Sequence, residues 1–462
     1  MRPFAFFASS RLILLGAALA ACGGDDDGDD EGPAPDVDVA EFLADIPGME
    51  VTEEAVDPPY RFFRLTYQQP VDHDDPDGDT FGQRMTLVHR DREAPMVLHT
   101  GGYHLYEDPF LSELGYLLDG NQVHVEQRFF GPSRPDPADW SKLTIEQAAA
   151  DHHRIALALR PFYAGAWVAT GASKGGMTSI YHRRFYPDDV DGTVPYVAPI
   201  SFGAPDDRYE PFLAAVGEPD CHAAVQDFQR EMLTRREAMI ERFEEYASAE
   251  ELTYERSGGI AGAYEDSVIE VEWGFWQYLG EEWCDYVPAA DATDDDLWAF
   301  HTEVVGALYY LDDAAIADYE PYYYQSETEL GYPTTMTAHL DDLLETQEEP
   351  RDYLPAGAPI EFDAGAMEDI AAWVDEDATR LLFVYGEWDP WTGGAFDLGG
   401  ALDSTIYQVA HGTHGSQIID LDDDARSEVF RTLERWTGVT PVVPDQARRA
   451  RLPAEPAPRG PL

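Results

Sequence analysis

Residues 167–178 read Trp167-Val168-Ala169-Thr170-Gly171-Ala172-Ser173-Lys174-Gly175-Gly176-Met177-Thr178: a short apolar run, a serine between glycines, and the opening of a helix-forming stretch. The middle five residues match G-x-S-x-G, in which a serine occupies a tight turn from a strand into a helix. The turn sets the pattern. Neighbouring backbones come so close that the flanking positions favour glycine, and the serine hydroxyl is left presented at the top of the turn. A bare match would arise by chance about 0.2 times in a chain of this composition. Here the apolar run before it and Met177-Thr178-Ser179-Ile180-Tyr181 after it supply the strand–turn–helix context, and no second match occurs.

Upstream, residues 61–67, 84–89, 95–100 and 122–126 are short alternating or apolar runs bounded by turn residues, as strands are. Thr144-Ile145-Glu146-Gln147 has the form of a capping box and opens a helix through Arg160. Strands alternating with helices over 95–200 predict a mainly parallel sheet with crossovers. After residue 206 the texture changes. Phe228, Met232, Met239 and Phe243 fall at helical spacings, and Trp273, Phe275, Trp276, Tyr278 and Trp283 make 265–330 dense in aromatics. Strand signals return at 380–385 and 404–409, and Val429, Leu433 and Trp436 mark a last helix. The expected architecture is an α/β-hydrolase core in two parts, 51–205 and 366–440. A mostly helical cap, 206–365, is inserted between them, and a disordered tail, 441–462, follows.

A serine hydroxyl needs a base, and the base needs an orienting carboxylate. In this architecture they follow in the order Ser, Asp, His, each just past a strand. Asp389 in Gly386-Glu387-Trp388-Asp389-Pro390-Trp391 and His414 in His411-Gly412-Thr413-His414-Gly415 meet that requirement. Glu387 competes for the first role and His411 for the second. The HxxH pair finds no third ligand at a workable spacing, so no metal is expected, and the chemistry calls for no cofactor. His152-His153 suits packing or surface placement, whereas His99 and His104 bracket a glycine turn and could line the site. The oxyanion donors expected are the backbone N–H of Lys174 and one from the Gly102–Tyr103 stretch.

The chain has 462 residues, 90 of them acidic against 30 Lys and Arg, for a formal net charge of −60. Such a surface repels phosphate backbones and excludes nucleic acid as a partner; it favours solubility and attracts amines. Basic Arg2 and Arg11, an apolar run from Leu12 and the ending Leu19-Ala20-Ala21-Cys22 form a secretion signal over 1–21 that closes like a bacterial lipobox. Cys22 would then carry a lipid and anchor the chain to a membrane. Gly23-Gly24 and the acidic run to Glu31 begin a flexible tether over 22–50. The expected location is the cell envelope of a bacterium, with Gly23 favouring the outer membrane. Cys221 and Cys284 are either a disulfide, which an exported chain permits, or two free thiols.

Several longer segments carry a family resemblance. They are Tyr67-Gln68-Gln69-Pro70-Val71-Asp72-His73, Val125-Glu126-Gln127-Arg128-Phe129-Phe130, Ser133-Arg134-Pro135, Ser173 through Thr178, His182 through Pro187, Asp389-Pro390-Trp391 and His414-Gly415. With them the chain resembles the bacterial secreted prolyl tri/tetrapeptidyl aminopeptidases, serine peptidases distantly related to lysosomal prolyl carboxypeptidase. The resemblance implies cleavage after proline near the free N-terminus of a peptide, with Met177 and Trp391 flanking the proline ring. It departs after Gly101-Gly102, where Tyr103-His104 replaces the acidic residue of the carboxypeptidase-like relatives. Glu126 and Glu272 then become the acidic candidates for holding the substrate amine. An esterase or lipase with the same triad, and a non-catalytic envelope binding lipoprotein, are the competing expectations.

Overall fold

The computed structural model describes residues 37–305, 310–347 and 351–443; the expected signal peptide, Cys22 and the tail beyond 443 lie outside them. Its sheet has nine strands in the order β1-β2-β3-β5-β4-β6-β7-β8-β9. These are β1 (Met49–Glu54), β2 (Arg61–Pro70), β3 (Thr80–His89), β4 (Met96–Thr100), β5 (Asn121–Val125), β6 (Trp167–Ala172), β7 (Gly192–Tyr196), β8 (Leu382–Gly386) and β9 (Thr405–Val409). The first three strands and β5 pair antiparallel, and every pairing from β5 through β4 to β9 is parallel. Strands β4, β5 and β7 are buried along their whole length, as a sheet covered by helices on both faces requires. Leu98, Val123, Ala169 and Trp167 pack one face with Ile155 and Leu159; Val97, Val168, Val194 and Val384 pack the other with Val429, Leu433 and Trp436. This order, with its reversal at β5-β4 and the serine turn after β6, is the α/β-hydrolase fold.

Two ends differ from expectation. The tether predicted through residue 50 is folded from residue 39: the helix Val39–Asp45 buries Val39 and Leu43, and β1 follows at Met49. Asp38, inside the expected tether, is the N-cap, its side chain accepting from Ala40 N. At the other end the Val442 N–H donates to Leu117 O at 2.8 Å, which holds the start of the predicted tail on the core.

Between β7 and β8 the chain builds the helices Pro219–Thr234, Arg236–Glu250, Gly259–Ile269, Asp294–Val305 and Asp313–Gln325. The first four share a core of their own that includes Val225, Phe228, Met232, Phe243, Phe275 and Trp276, whereas Asp313–Gln325 sets Tyr324 against Phe129 and Leu143. The helix Ala364–Glu376 instead buries Met367, Ile370 and Val374 against Ile180 and Phe383 of the sheet layer. A Cys221–Cys284 disulfide ties the first inserted helix to the turn Glu281–Tyr286 across 63 residues. Closing a loop of that length removes denatured-state entropy worth about 4 kcal/mol. The double variant Cys221→Ser/Cys284→Ser is expected to lose a stability increment of that order in chemical denaturation. An unchanged midpoint would show that the bond adds nothing to the insert.

Candidate active site

Strand β6 delivers Ser173 into a strained turn, φ 54° and ψ −127°, and the helix Lys174–Phe185 starts at the next residue. A side chain could hold such a conformation only where the surroundings dictate it. The Ser173 N–H donates to Tyr196 O at 2.9 Å. A Cβ at Gly171 would lie 2.5 Å from Gly175, and one at Gly102 2.7 Å from Gly175 N. The serine turn and the loop after β4 are therefore pressed backbone to backbone, and that contact brings the two expected oxyanion donors to one place.

Lys174 is almost fully buried, its Nζ donating to the Gly102 carbonyl at 2.9 Å and lying over the rings of Tyr103 and Phe130. Burial pushes its pKa down to about 7, against the pull of Glu329. A trans peptide points its N–H opposite to its C=O. Fixing the Gly102 carbonyl thus fixes the direction of the Tyr103 N–H, which has no partner among the described residues. The Lys174 N–H belongs to the first turn of its helix, where backbone donors lack intrahelical acceptors. Both are suited to receive negative charge on a substrate oxygen.

Asp389 follows β8 and His414 follows β9, so both leave the same edge of the sheet as Ser173. Asp389 Oδ2 accepts from His414 Nδ1 at 2.7 Å, with both residues buried. The other carboxylate oxygen accepts from Trp391 N at 3.2 Å, where Asp389 caps the turn Pro390–Gly394. No hydrogen bond joins Ser173 to His414 among the described residues; such contacts commonly tighten when substrate binds. The rival pair is placed elsewhere. Glu387 is exposed and accepts from His411 N, while the exposed His411 ring stacks on Trp388 at 4.7 Å.

The remaining histidines have packing partners. His152 bonds Ala148 O, His153 and His182 share Asp189, and His99 meets Phe110 and His124 edge-on within the sheet. His104 lies against Phe130 and Tyr319, and burial lowers its pKa. Among the described residues no group of three or more His, Cys, Asp or Glu is arranged to hold a metal ion.

Trp391 stands beside the base, ring centroids 6.4 Å apart, and packs edge-on against Tyr209 and Trp273. Its ring forms one wall of a cleft of about 120 Å³ lined otherwise by residues of the insert. Trp273, Tyr322 and Met336 continue the apolar lining, and Glu270 and Glu272 are its acids. Met177 lies one turn beyond Ser173, buried among Ile180, Tyr181 and Ile200. The expectation that Glu126 meets a substrate amine is corrected. It has no exposed surface, and its carboxylate accepts from Arg84 Nε, Leu105 N and Ser133 Oγ and pairs with Arg84 Nη2. Those donors satisfy it and leave no room for a ligand; its role is to hold the Tyr103–Leu105 loop. Glu272 is in the cleft wall but already accepts from His222 Nδ1 and Gln226 Nε2. Glu270, which the sequence did not single out, is the acid in the wall without a partner among the described residues; the only sequence signal was a second acid in the otherwise apolar run Val268–Gly274.

The family model described as PS-10 peptidase S37 matches residues 33–455. The chain belongs to that family. A prolyl tri/tetrapeptidyl aminopeptidase of Streptomyces mobaraensis is 43% identical over 429 residues, which cover 92% of this chain and 90% of the relative. The lysosomal Pro-X carboxypeptidase of Mus musculus is 31% identical over 156 residues, 29% of this chain and 32% of its own. Among solved structures, a proline iminopeptidase of Mycobacterium smegmatis matches 84% of this chain and 99% of its own, at TM-score 0.34 and 12% identity. This S37 chain is a serine peptidase, and the residues assembled above are its candidate machinery.

Proposed function

We propose that this peptidase is an aminopeptidase that releases tri- and tetrapeptides from free N-termini by cleaving after proline. Ser173 Oγ attacks the prolyl carbonyl carbon while His414 Nε2 takes the hydroxyl proton. Asp389 holds the imidazole by Nδ1 and stabilises its charged form, and the N–H groups of Lys174 and Tyr103 receive the oxyanion. As the tetrahedral centre collapses, the scissile C–N bond breaks and His414 gives its proton to the leaving amine. Water then attacks the acyl-serine by the same route and frees the short peptide acid. The observation that carries this reading is the buried Asp389–His414 bond beside Trp391, whose flat indole suits a proline ring. The activity for which the 43%-identical relative is named supports the peptide class.

The test compares chromogenic peptides ending in proline, with the amine free or N-acetylated, alongside a short-chain ester. Free-amine prolyl peptides are expected to turn over by far the fastest. Preference for the ester, or indifference to acetylation, would keep a serine hydrolase but remove the aminopeptidase assignment.

A further inference from the structure

The cleft beside His414 contains one polar group whose state its surroundings leave unexplained. Glu270 follows the helix Gly259–Ile269 and turns into the wall shared with Trp391, Trp273 and Tyr322. Among the described residues its carboxylate accepts no hydrogen bond and meets no cation. Its neighbour in the wall is different: Glu272 is engaged by His222 and Gln226. No lysine or arginine lines the cleft. A partly buried carboxylate loses hydration that nothing in the protein returns, which destabilises the fold unless a ligand supplies the missing charge.

We propose that Glu270 is the subsite for the free α-ammonium group of a bound peptide, whose acyl end lies at Trp391 and Ser173. The proposal rests on the aminopeptidase reading and names the residue that would make a free N-terminus matter. The chemistry is complementary. An α-amino group has a pKa near 8 and is cationic at neutral pH, with three donors for the carboxylate oxygens. The aromatic faces of Trp273 and Tyr322 suit a cation held between them. Burial, aided by the nearby Asp266 carboxylate, pushes the pKa of Glu270 up to about 7. A carboxyl so poised is readily ionised by an arriving ammonium. The Tyr322 hydroxyl is pushed up to about 12 by burial and then by Glu270, which places the two groups within electrostatic reach. Trp391 and Glu270 line the same cleft, so a peptide bound there can reach both with its two ends.

The experiment measures, for wild type and for Glu270→Gln, the ratio of kcat/KM on a free-amine prolyl tripeptide to that on its N-acetylated form. A ratio taken within one preparation does not depend on how much of it is folded. Glu270→Gln is expected to lower the wild-type ratio by about 30-fold or more, chiefly through KM of the free-amine peptide. Glu272→Gln is the comparison and is expected to change the ratio far less, because that carboxylate is already engaged. An unchanged ratio in Glu270→Gln, or a larger fall in Glu272→Gln, would overturn the assignment while leaving the aminopeptidase reading intact. A wild-type enzyme with no preference for the free amine would remove that reading first.

Discussion

Ser173→Ala is expected to lower kcat on a prolyl tripeptide by about a million-fold, the scale of losing a nucleophile from a working triad. The strained backbone at 173 is imposed by the Gly171–Gly175 contact and the Tyr196 carbonyl, neither of which needs the hydroxyl. The variant should therefore fold, with an unchanged circular dichroism spectrum. It keeps the Lys174 and Tyr103 donors and the cleft, so it should bind product and substrate with near-normal affinity. Wild type should be labelled once per chain by a fluorophosphonate, and the variant not at all. More than about one per cent residual turnover, far above that triad-loss scale, would mean another group attacks the carbonyl.

The second large effect concerns the orienting acid. Asp389→Asn is expected to reduce kcat by about ten-thousand-fold with KM little changed. The Trp391 N–H already occupies one oxygen of Asp389 and His414 Nδ1 the other. In asparagine, the oxygen would keep the Trp391 contact and the amide nitrogen would face Nδ1. A donor there selects the tautomer with its proton on Nε2, which cannot accept from serine. Glu387→Gln and His411→Ala serve as counterparts. Both residues are exposed, Glu387 accepting from His411 N and the His411 ring stacking on Trp388, and turnover should stay within about twofold of wild type, as expected for surface changes away from the site. A large loss in either, with Asp389→Asn still active, would reverse the assignment of base and acid.

Much of this arrangement was legible because it is written in contiguous residues. The serine turn, the strands at 95–100 and 167–170, and the capping box all depend on neighbours within a few positions. Thr144 Oγ1 does accept from Gln147 N at 3.2 Å and the helix runs Ile145–Leu159, but the reciprocal half of the box is not formed, because Gln147 Oε1 accepts from His73 N and its Nε2 donates to Asp72. The choice of Asp389 over Glu387 followed from placing a carboxylate past a strand end. Residues whose role comes from another strand were misread. Glu126 looked like an available acid, but β3 pairs with β5 so that Met85 opposes Val125. That register lays Arg84 beside Glu126, and no property of either segment alone reveals it. Asp38 fell inside the stretch read as a flexible tether, whereas an acidic residue just before an amphipathic stretch is also a helix cap. Glu270 was passed over because the cleft that gives it meaning is assembled from sequence-distant segments, those of Leu213, Glu270, Tyr322, Met336 and Trp391, which only the fold of the insert brings together.

One contact gives the insert a share in the chemistry. The backbone N–H of His414 donates at 2.9 Å to the carbonyl of Gln277, in the π-helical stretch Phe275–Leu279. The imidazole is thus moored twice, by its ring to the sheet layer and by its peptide to the inserted helices. Warming that loosens the helices alone would release the second mooring while the sheet stays intact. A loss of the insert's own packing is therefore enough to unsettle the base, with no strand displaced.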